Sequence, residues 1–444
     1  MARRTLVRTA AVVGAAALAL AACSSGDSST GSDTTTSASG AADSTEVSTD
    51  CTPEEATAGA TPVTTPLSIG TLLPSTGSLA FLGPPMAAGV QLAVNEVNDA
   101  GGVLDAPVNL ITGDSGDTTT DTANATVDRE LAEGVSAIIG AASSAVSLQV
   151  IDKIASAGVV MFSPANTSDQ FVCYPDKGMY FRTAPTDTLQ AQALAQLISE
   201  DGAQRVSVLA LNDPYGTGLA GNTISDLEAA GIPSDQLQQI IYDPNAQSFN
   251  AEIDQVQEFA PDAVVVIGFE ETSRIINRMN EVGIGPTSGM PVYGTDGNMG
   301  NALGEAVPPG ALAGMKGTTP LTELSGDFEA RLRTVDPSLV DVNYAGESYD
   351  AVVITALAAV QAGSTAGVDI AANINSVTEG GTKCTSFAEC APLAAAGEDI
   401  DYDGVTGELS FSAAGEPSVA SYGSLEFDAN NQLQTNGFII VGGQ

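Results

Sequence analysis

An α/β fold of two lobes, each a parallel sheet covered by helices on both faces, is predicted by three features of this 444-residue chain. From Leu67 onward, short aliphatic runs alternate with longer stretches whose apolar residues recur at helical spacing. That rhythm restarts near residue 185 and completes a second unit of similar size, in a chain long enough for two cores. The aliphatic runs also end in hydroxyls, amides or acids, as expected where a ligand sits beyond the carboxyl ends of parallel strands.

The first unit opens with the strand LSIGTLL (67–73). Residues 84–100 then place Met86, Val90, Ala93, Val94 and Val97 on one helical face, and Gly101-Gly102 ends that helix. The strand VNLIT (108–112), a helix and the strand SAIIG (136–140) follow. A helix with Val146, Val150, Ile151 and Ile154 on one face leads into VVMF (159–162). After YFRTAP (180–185) come helix 187–200, strand VSVLAL, helix 217–230, strand QQIIYD, helix 248–259, strand AVVVIG, helix 271–282 and strand PVYGTD. The strand ends LLPSTG, IGAASS, FSPANTS, LALNDPYG, VIGFEE and YGTDGN are the candidate site segments.

At the N-terminus, Arg3, Arg4 and Arg8 precede an apolar core and small residues, which reads as a secretion signal too short for a membrane span. Leu20-Ala21-Ala22-Cys23 resembles a bacterial lipobox, implying cleavage before Cys23 and lipidation of its thiol; an ordinary signal peptide is the alternative. Arg3-Arg4 would also suit twin-arginine export. Segment 1–22 is thus a leader, and 23–65, rich in Ser, Thr, Ala, Gly and Asp, a disordered tether.

The chain contains no His, which excludes Ser-His-Asp and Cys-His nucleophilic sites and every His-ligated zinc pattern. None of its lysines (Lys153, Lys177, Lys316, Lys383) follows a Ser at three residues' distance, so the Ser-x-x-Lys nucleophile is absent too. A net charge of −40 argues against nucleic acid as a partner and gives solubility. After Cys23, the even set Cys51, Cys173, Cys384 and Cys390 in an exported chain implies two disulfides, for which three connectivities exist. The closeness of Cys384 and Cys390 pairs them and leaves Cys51 to Cys173; a four-thiolate zinc site lacks any Cys-x-x-Cys.

Three motifs need separate weighing. Gly216, Gly218 and Gly221 fit G-x-G-x-x-G, with Asp243 at the end of the next strand. A dinucleotide turn needs its first glycine directly after the strand, and Asn212-Asp213-Pro214-Tyr215 intervene. Asp399, Asp401, Asp403 and Gly404 begin like a calcium loop, but Ser410 stands where the closing Glu belongs and Glu408 comes early; an acidic turn feeding a strand GELSF is the plainer reading. DSGDTTTD (114–121) reads as a capped helix start.

IGTLLPSTGSLAFLGPPMAAGVQLAVNEVNDAGGVL, with SPANTS, YFRTAP, NDPYGTGLA and ESYDAVVITALAA in order from Leu67 to the C-terminus, resembles the leucine/isoleucine/valine-type (type I) solute-binding proteins of ABC importers. The resemblance implies two Rossmann-like lobes of the periplasmic-binding-protein type I fold, joined by a three-strand hinge. With crossovers near Pro185, Pro320 and Tyr422, lobe 1 comprises 66–185 and 321–421, and lobe 2 comprises 186–320 and 422–444. It further implies capture of a branched-chain-type amino acid, or a related small amide, in the interlobe cleft by hinge closure. Carried over by position, Ser144 and Thr167 hold the carboxylate, while the Ala165 carbonyl, the Thr167 hydroxyl and Asp296 hold the ammonium. Tyr215, Phe269 and Tyr344 line the side-chain part of the cleft. The physical chemistry agrees: a helix N-terminus favours a carboxylate, and a buried ammonium requires an acid and acceptors.

Two departures from the family pattern are Asp296 in place of Glu, and Leu82 where branched-chain binders can have Tyr. No cofactor, metal or catalysis is implied. The expected partners are a small-molecule ligand, an ABC permease and, through the lipid, the outer face of the bacterial cytoplasmic membrane, with the chain a monomer. A sensor of the same fold is one alternative, and a hydrolase pairing Asp296 with Glu270 or Glu271 a remoter one.

Overall fold

The computed structural model of the chain describes residues 51–442. The leader, Cys23 and most of the expected tether lie outside the described residues.

The first sheet is built from β1 (Ser68–Leu72), β2 (Asn109–Ile111), β3 (Ala137–Gly140), β4 (Val160–Ser163) and β5 (Tyr180–Arg182), in the order β2-β1-β3-β4-β5 and parallel throughout. Helices α1 (Gly83–Asp99), α2 (Thr122–Glu133) and α3 (Ser144–Ser156) connect successive strands. The second sheet takes α4 (Asp187–Glu200), β6 (Val206–Leu211), α5 (Pro214–Ala229), β7 (Leu237–Tyr242), α6 (Asn250–Phe259), β8 (Ala263–Ile267), α7 (Thr272–Glu281), β9 (Val292–Gly294), α8 (Asn301–Glu305) and β10 (Lys316–Pro320). The chain then returns to the first lobe as α9 (Gly326–Val335), α10 (Ala345–Ala362), α11 (Gly367–Ile374), β11 (Thr382–Cys384), α12 (Phe387–Ala395) and β12 (Ile400–Tyr402). It ends as β13 (Val419–Phe427) and β14 (Leu433–Gly442), which extend the second sheet to the order β14-β13-β10-β9-β8-β6-β7. β13 and β14 are its antiparallel members.

Every residue of β3, β4, β6 and β8 is buried, as continuous aliphatic runs require when helices cover both faces of a sheet. α10 is apolar nearly all round because it is buried from Ala345 to Ala359. No single helix among the described residues is long and apolar enough to cross a membrane.

Several local expectations are corrected. α5 begins at Pro214 rather than at 217, because Asp213 caps it by accepting the Gly216 N–H at 2.7 Å and Pro214 suits the first helical position. All three glycines of the G-x-G-x-x-G match therefore lie inside a helix. A Cβ on Gly216 would sit 2.3 Å from the Leu211 carbonyl oxygen, so that glycine serves helix-on-strand packing. The acids of 114–121 cap a loop instead of a helix: Asp114 accepts from the Ser75, Thr76 and Gly116 N–H groups, while Asp121 makes no side-chain cap. GELSF forms no strand; Phe411 makes only an isolated bridge to Pro417. Beside it, the Lys383 ammonium sits 2.9 Å from both Asp401 and Asp403, occupying the place a cation would need. β13 already pairs from Val419, so the third crossing comes before Tyr422.

Disulfides join Cys51 to Cys173 and Cys384 to Cys390. The first belongs to a larger correction, since residues 51–65 are not a free tether. Gly59 donates to Asp369 at 2.6 Å, Val63 donates to the Ser364 hydroxyl at 2.9 Å, and the Val63 carbonyl accepts the Thr365 N–H at 2.7 Å. Polar composition concealed this because the anchors are backbone groups, which any residue carries.

Arg182, fully buried at the end of β5, bonds Glu416 through Nε at 2.8 Å and through a second nitrogen. Its remaining nitrogen donates to the carbonyls of Asn166, at 3.3 Å, and Ser168, at 2.8 Å. Arg182→Met leaves the Glu416 carboxylate buried without its partner. Urea unfolding is expected to report a loss on the order of 3–5 kcal/mol, and Arg182→Met/Glu416→Met to recover much of it.

Candidate functional site

The carboxyl ends of both parallel sheets converge on one cleft. In lobe 1, Ser143 is the residue that caps α3, its hydroxyl accepting the Val146 N–H at 3.4 Å. Ser144 is thereby left as the first helical residue, buried, with its hydroxyl accepting the Ser168 N–H at 3.3 Å. After β4, Ser163 gathers the next loop: its hydroxyl donates to the Ala141 carbonyl at 2.6 Å and accepts from the N–H groups of Ala165 and Asn166. Asn166 donates to the Ala142 carbonyl at 2.9 Å and accepts from the Tyr180 hydroxyl at 3.0 Å. Thr167 is thus buried beside Ser144, and Arg182 grips the carbonyls on either side of it.

In lobe 2, Asp296 follows β9 and is fixed by two tyrosines. The Tyr215 hydroxyl donates to Oδ1 at 2.9 Å and the Tyr344 hydroxyl to Oδ2 at 2.8 Å. Burial raises the Asp296 carboxyl above its ordinary pKa, while Tyr344, Tyr215 and Gln190 pull it down. Tyr215 stacks on Phe269 with ring centroids 5.6 Å apart. The structure therefore brings Ser144, Ala165 and Thr167 together on one side and Tyr215, Phe269 and Asp296 on the other, with the Tyr344 hydroxyl reaching Asp296 from lobe 1. The hydroxyls of Tyr215 and Tyr344, expected to line the side-chain space, bond Asp296, and Phe269 lines both of the cavities described next.

Asp187 was missed from sequence. It is the first residue of α4, fully buried, and neither carboxyl oxygen receives a hydrogen bond among the described residues. Its pKa is pushed well up by burial and by the nearby carboxylates of Asp169 and Asp296. In sequence an acid in a helix's first turn is the ordinary complement to the helix dipole, and that ordinariness hid it. Phe81 was missed as well. It faces Gly300 across the cleft, where an added Cβ would lie 3.1 Å from its ring, while the neighbouring Leu82 is buried.

Two cavities flank Phe269. The larger, about 470 Å³, lies between the strand ends of both lobes and is mostly polar: Ser78, Ser115, Thr118 and Ser143 face it from lobe 1, and Asn212, Asp213, Asn245 and Glu271 from lobe 2. The smaller, about 170 Å³, is walled by Phe81, Phe269, Ala302 and Leu303. Asp296 lines neither, and Glu271 already accepts the Tyr242 hydroxyl at 2.8 Å and the Phe269 N–H at 3.0 Å. The pair of acids facing one another across a cavity that hydrolysis needs is not formed by Asp296 with Glu270 or Glu271.

A family model described as periplasmic binding protein matches residues 66–422. The chemotactic signal transduction system substrate-binding protein BasB of Halobacterium salinarum is 26% identical over 394 residues, 85% of this chain and 92% of BasB. Leu/Ile/Val-binding protein homolog 2 of Brucella abortus is 26% identical over 385 residues, 84% of this chain and 93% of that protein. Among solved structures, the leucine binding protein LivK of Thermotoga maritima superposes with a TM-score of 0.69 at 22% identity, covering 84% of this chain and 98% of that one, and so shares its fold.

The buried acids give ligand-free stability a definite pH dependence. Burial lifts Asp187 and Asp296, pushes Asp213 to about 7, and pushes Glu130 and Glu347 to about 8. Between ordinary carboxylate values and these raised ones, the folded state keeps protons that the unfolded state has lost, so stability falls as pH rises through that window. Melting temperatures of the ligand-free protein are expected to drop from pH 5 to pH 8. Asp187→Asn should flatten that slope, and an unchanged slope would place the Asp187 carboxyl in contact with water.

Proposed function

The chain belongs to the periplasmic binding protein family, whose members here are solute-binding proteins and not enzymes, and we propose that it captures an α-amino acid between its lobes by hinge closure. The observation that carries this reading is the opposed polarity of the cleft. Lobe 1 offers the α3 N-terminus with the Ser144 and Thr167 hydroxyls, Asp296 of lobe 2 brings a buried carboxyl, and Asp187, whose N–H donates to the Thr167 carbonyl at 2.7 Å, adds a second one beside Thr167. A zwitterion complements both sides at once: its carboxylate takes the free first-turn N–H groups, and its ammonium relieves two acids that burial destabilises. The Ala165 carbonyl and the Thr167 hydroxyl complete the ammonium's acceptors. Aliphatic solutes, named for the Brucella relative and for LivK, fit the smaller cavity beside Phe81 and Phe269.

In this reading the protein is exported, held by a lipid on Cys23 at the outer face of the cytoplasmic membrane, and hands its solute as a monomer to an ABC permease. BasB favours a second reading, in which the bound solute is reported and not imported. A strain lacking the chain that still imports the solute at the parental rate would decide for that second reading.

Asp296→Ala and Ser144→Ala each remove one charge-assisted contact. Affinity for the bound amino acid, read by calorimetry or thermal shift, is expected to fall about 10- to 100-fold for each. Wild-type affinity in both variants would show that the clamp lies elsewhere. Cys23→Ser should move the protein from the membrane fraction to the medium and abolish labelling by radioactive palmitate.

A further inference from the structure

The larger cavity opens beside the proposed carboxylate end of the clamp, since Ser143 and Ala145, on either side of Ser144, form part of its wall. Its charge is one-sided. Among the described residues, Asp117, Asp213, Asp243, Glu270 and Glu271 line it, against Arg274 as the one basic residue. Arg274 supplies little counter-charge, because its guanidinium donates to the carbonyls of Ala246, at 2.6 Å, and Pro244, at 3.3 Å, and lies over the Phe249 ring. Glu271 is the telling member. It is 3% exposed and lines the cavity, and both hydrogen bonds it accepts fall on Oε1. Oε2 receives none among the described residues and stays open to the cavity, where water or an entering cation can bind it.

The proposed clamp has the same excess: it would set Asp187 and Asp296, both buried, against the one ammonium of an amino acid, and Arg182 is already paired with Glu416. At about 470 Å³ the cavity is also far larger than the smaller space beside Phe81, which already suits an aliphatic side chain.

We propose that the preferred solute is an α-amino acid whose side chain ends in a cation, a guanidinium or an ammonium, received in the larger cavity by Glu271 with Asp213 and Asp243 around it. This rests on the amino-acid reading and specifies its substrate class. A cleft lined by one sign of charge focuses its field, so the same acids raise the local concentration of a cationic solute before the lobes close. The neutral hydroxyls and amides of the wall solvate the side-chain stem on its way out.

The test is calorimetric titration of the full chain at fixed ionic strength with L-arginine, L-citrulline, L-leucine and agmatine. Citrulline has arginine's shape without its charge, and agmatine lacks the carboxylate. Arginine is expected to bind about tenfold or more tighter than citrulline and leucine, the scale of one charge-assisted contact. Glu271→Gln should bring the arginine-to-citrulline ratio toward one. Glu270→Gln, on an exposed side chain that folding does not require, should narrow it in the same direction by less. Leucine or citrulline binding as tightly as arginine, or an unchanged ratio in both variants, overturns the cationic subsite and leaves amino-acid capture standing. Failure of all three amino acids, or agmatine matching arginine, overturns the amino-acid reading itself.

Discussion

The buried guanidinium of Arg182 is the interaction on which the rest of the molecule depends. It stands where the chain first leaves lobe 1, pairs with Glu416 just before the third crossing, and holds the carbonyls flanking Thr167. A guanidinium suits this place because its planar fork presents several donors at fixed angles, which a flexible ammonium does not. Two crossings and one binding loop are thus tied to a single rigid group. The cost of burying that charge is met by one carboxylate and two carbonyls, so the geometry around Thr167 is set before any ligand arrives.

From that anchor the cleft acquires its polarity. Lobe 1 contributes hydroxyls, backbone N–H groups and a helix start, while the opposing wall contributes acids raised by burial. Asp296 is steadied by two tyrosines that come from different parts of the chain, Tyr215 at the start of α5 and Tyr344 just before α10. Tyr344 adopts a left-handed backbone conformation with φ of 59°, uncommon for a bulky residue, and the conformation ends the loop with its ring directed at lobe 2. The Asp187 carboxyl has no comparable partner among the described residues. Burial of both acids contributes to the pH dependence of ligand-free stability, and it gives an incoming cation something to relieve.

Much of this was legible in the chain. The alternation of aliphatic runs and helical stretches identified the two sheets because burial on both faces demands continuous apolar strands. The strand ends announced the cleft because polar residues cluster there while the strands themselves are aliphatic, although some of them, such as Ser163, also organise the loops. The Asp213-Pro214 pair disqualified a nucleotide turn, and it is the cap and first residue of α5. Other features were hidden. Choosing between Ser143 and Ser144 as the cap requires the angle at which α3 leaves its strand. The tether's anchoring rests on backbone groups, and Asp187 looks in sequence like any acid at a helix start.

Local pattern, then, determined by itself the fold class, the two-lobed organisation and the exclusion of histidine chemistry, since each depends on residue type and near-neighbour spacing. Tertiary structure alone decided which polar side chains face one another. Arg182 with Glu416, Asp296 with Tyr344, and Glu271 with its open cavity join residues distant in the chain. Whether a buried acid is satisfied or left wanting depends on those distant partners, and the chemistry of the cleft follows from that.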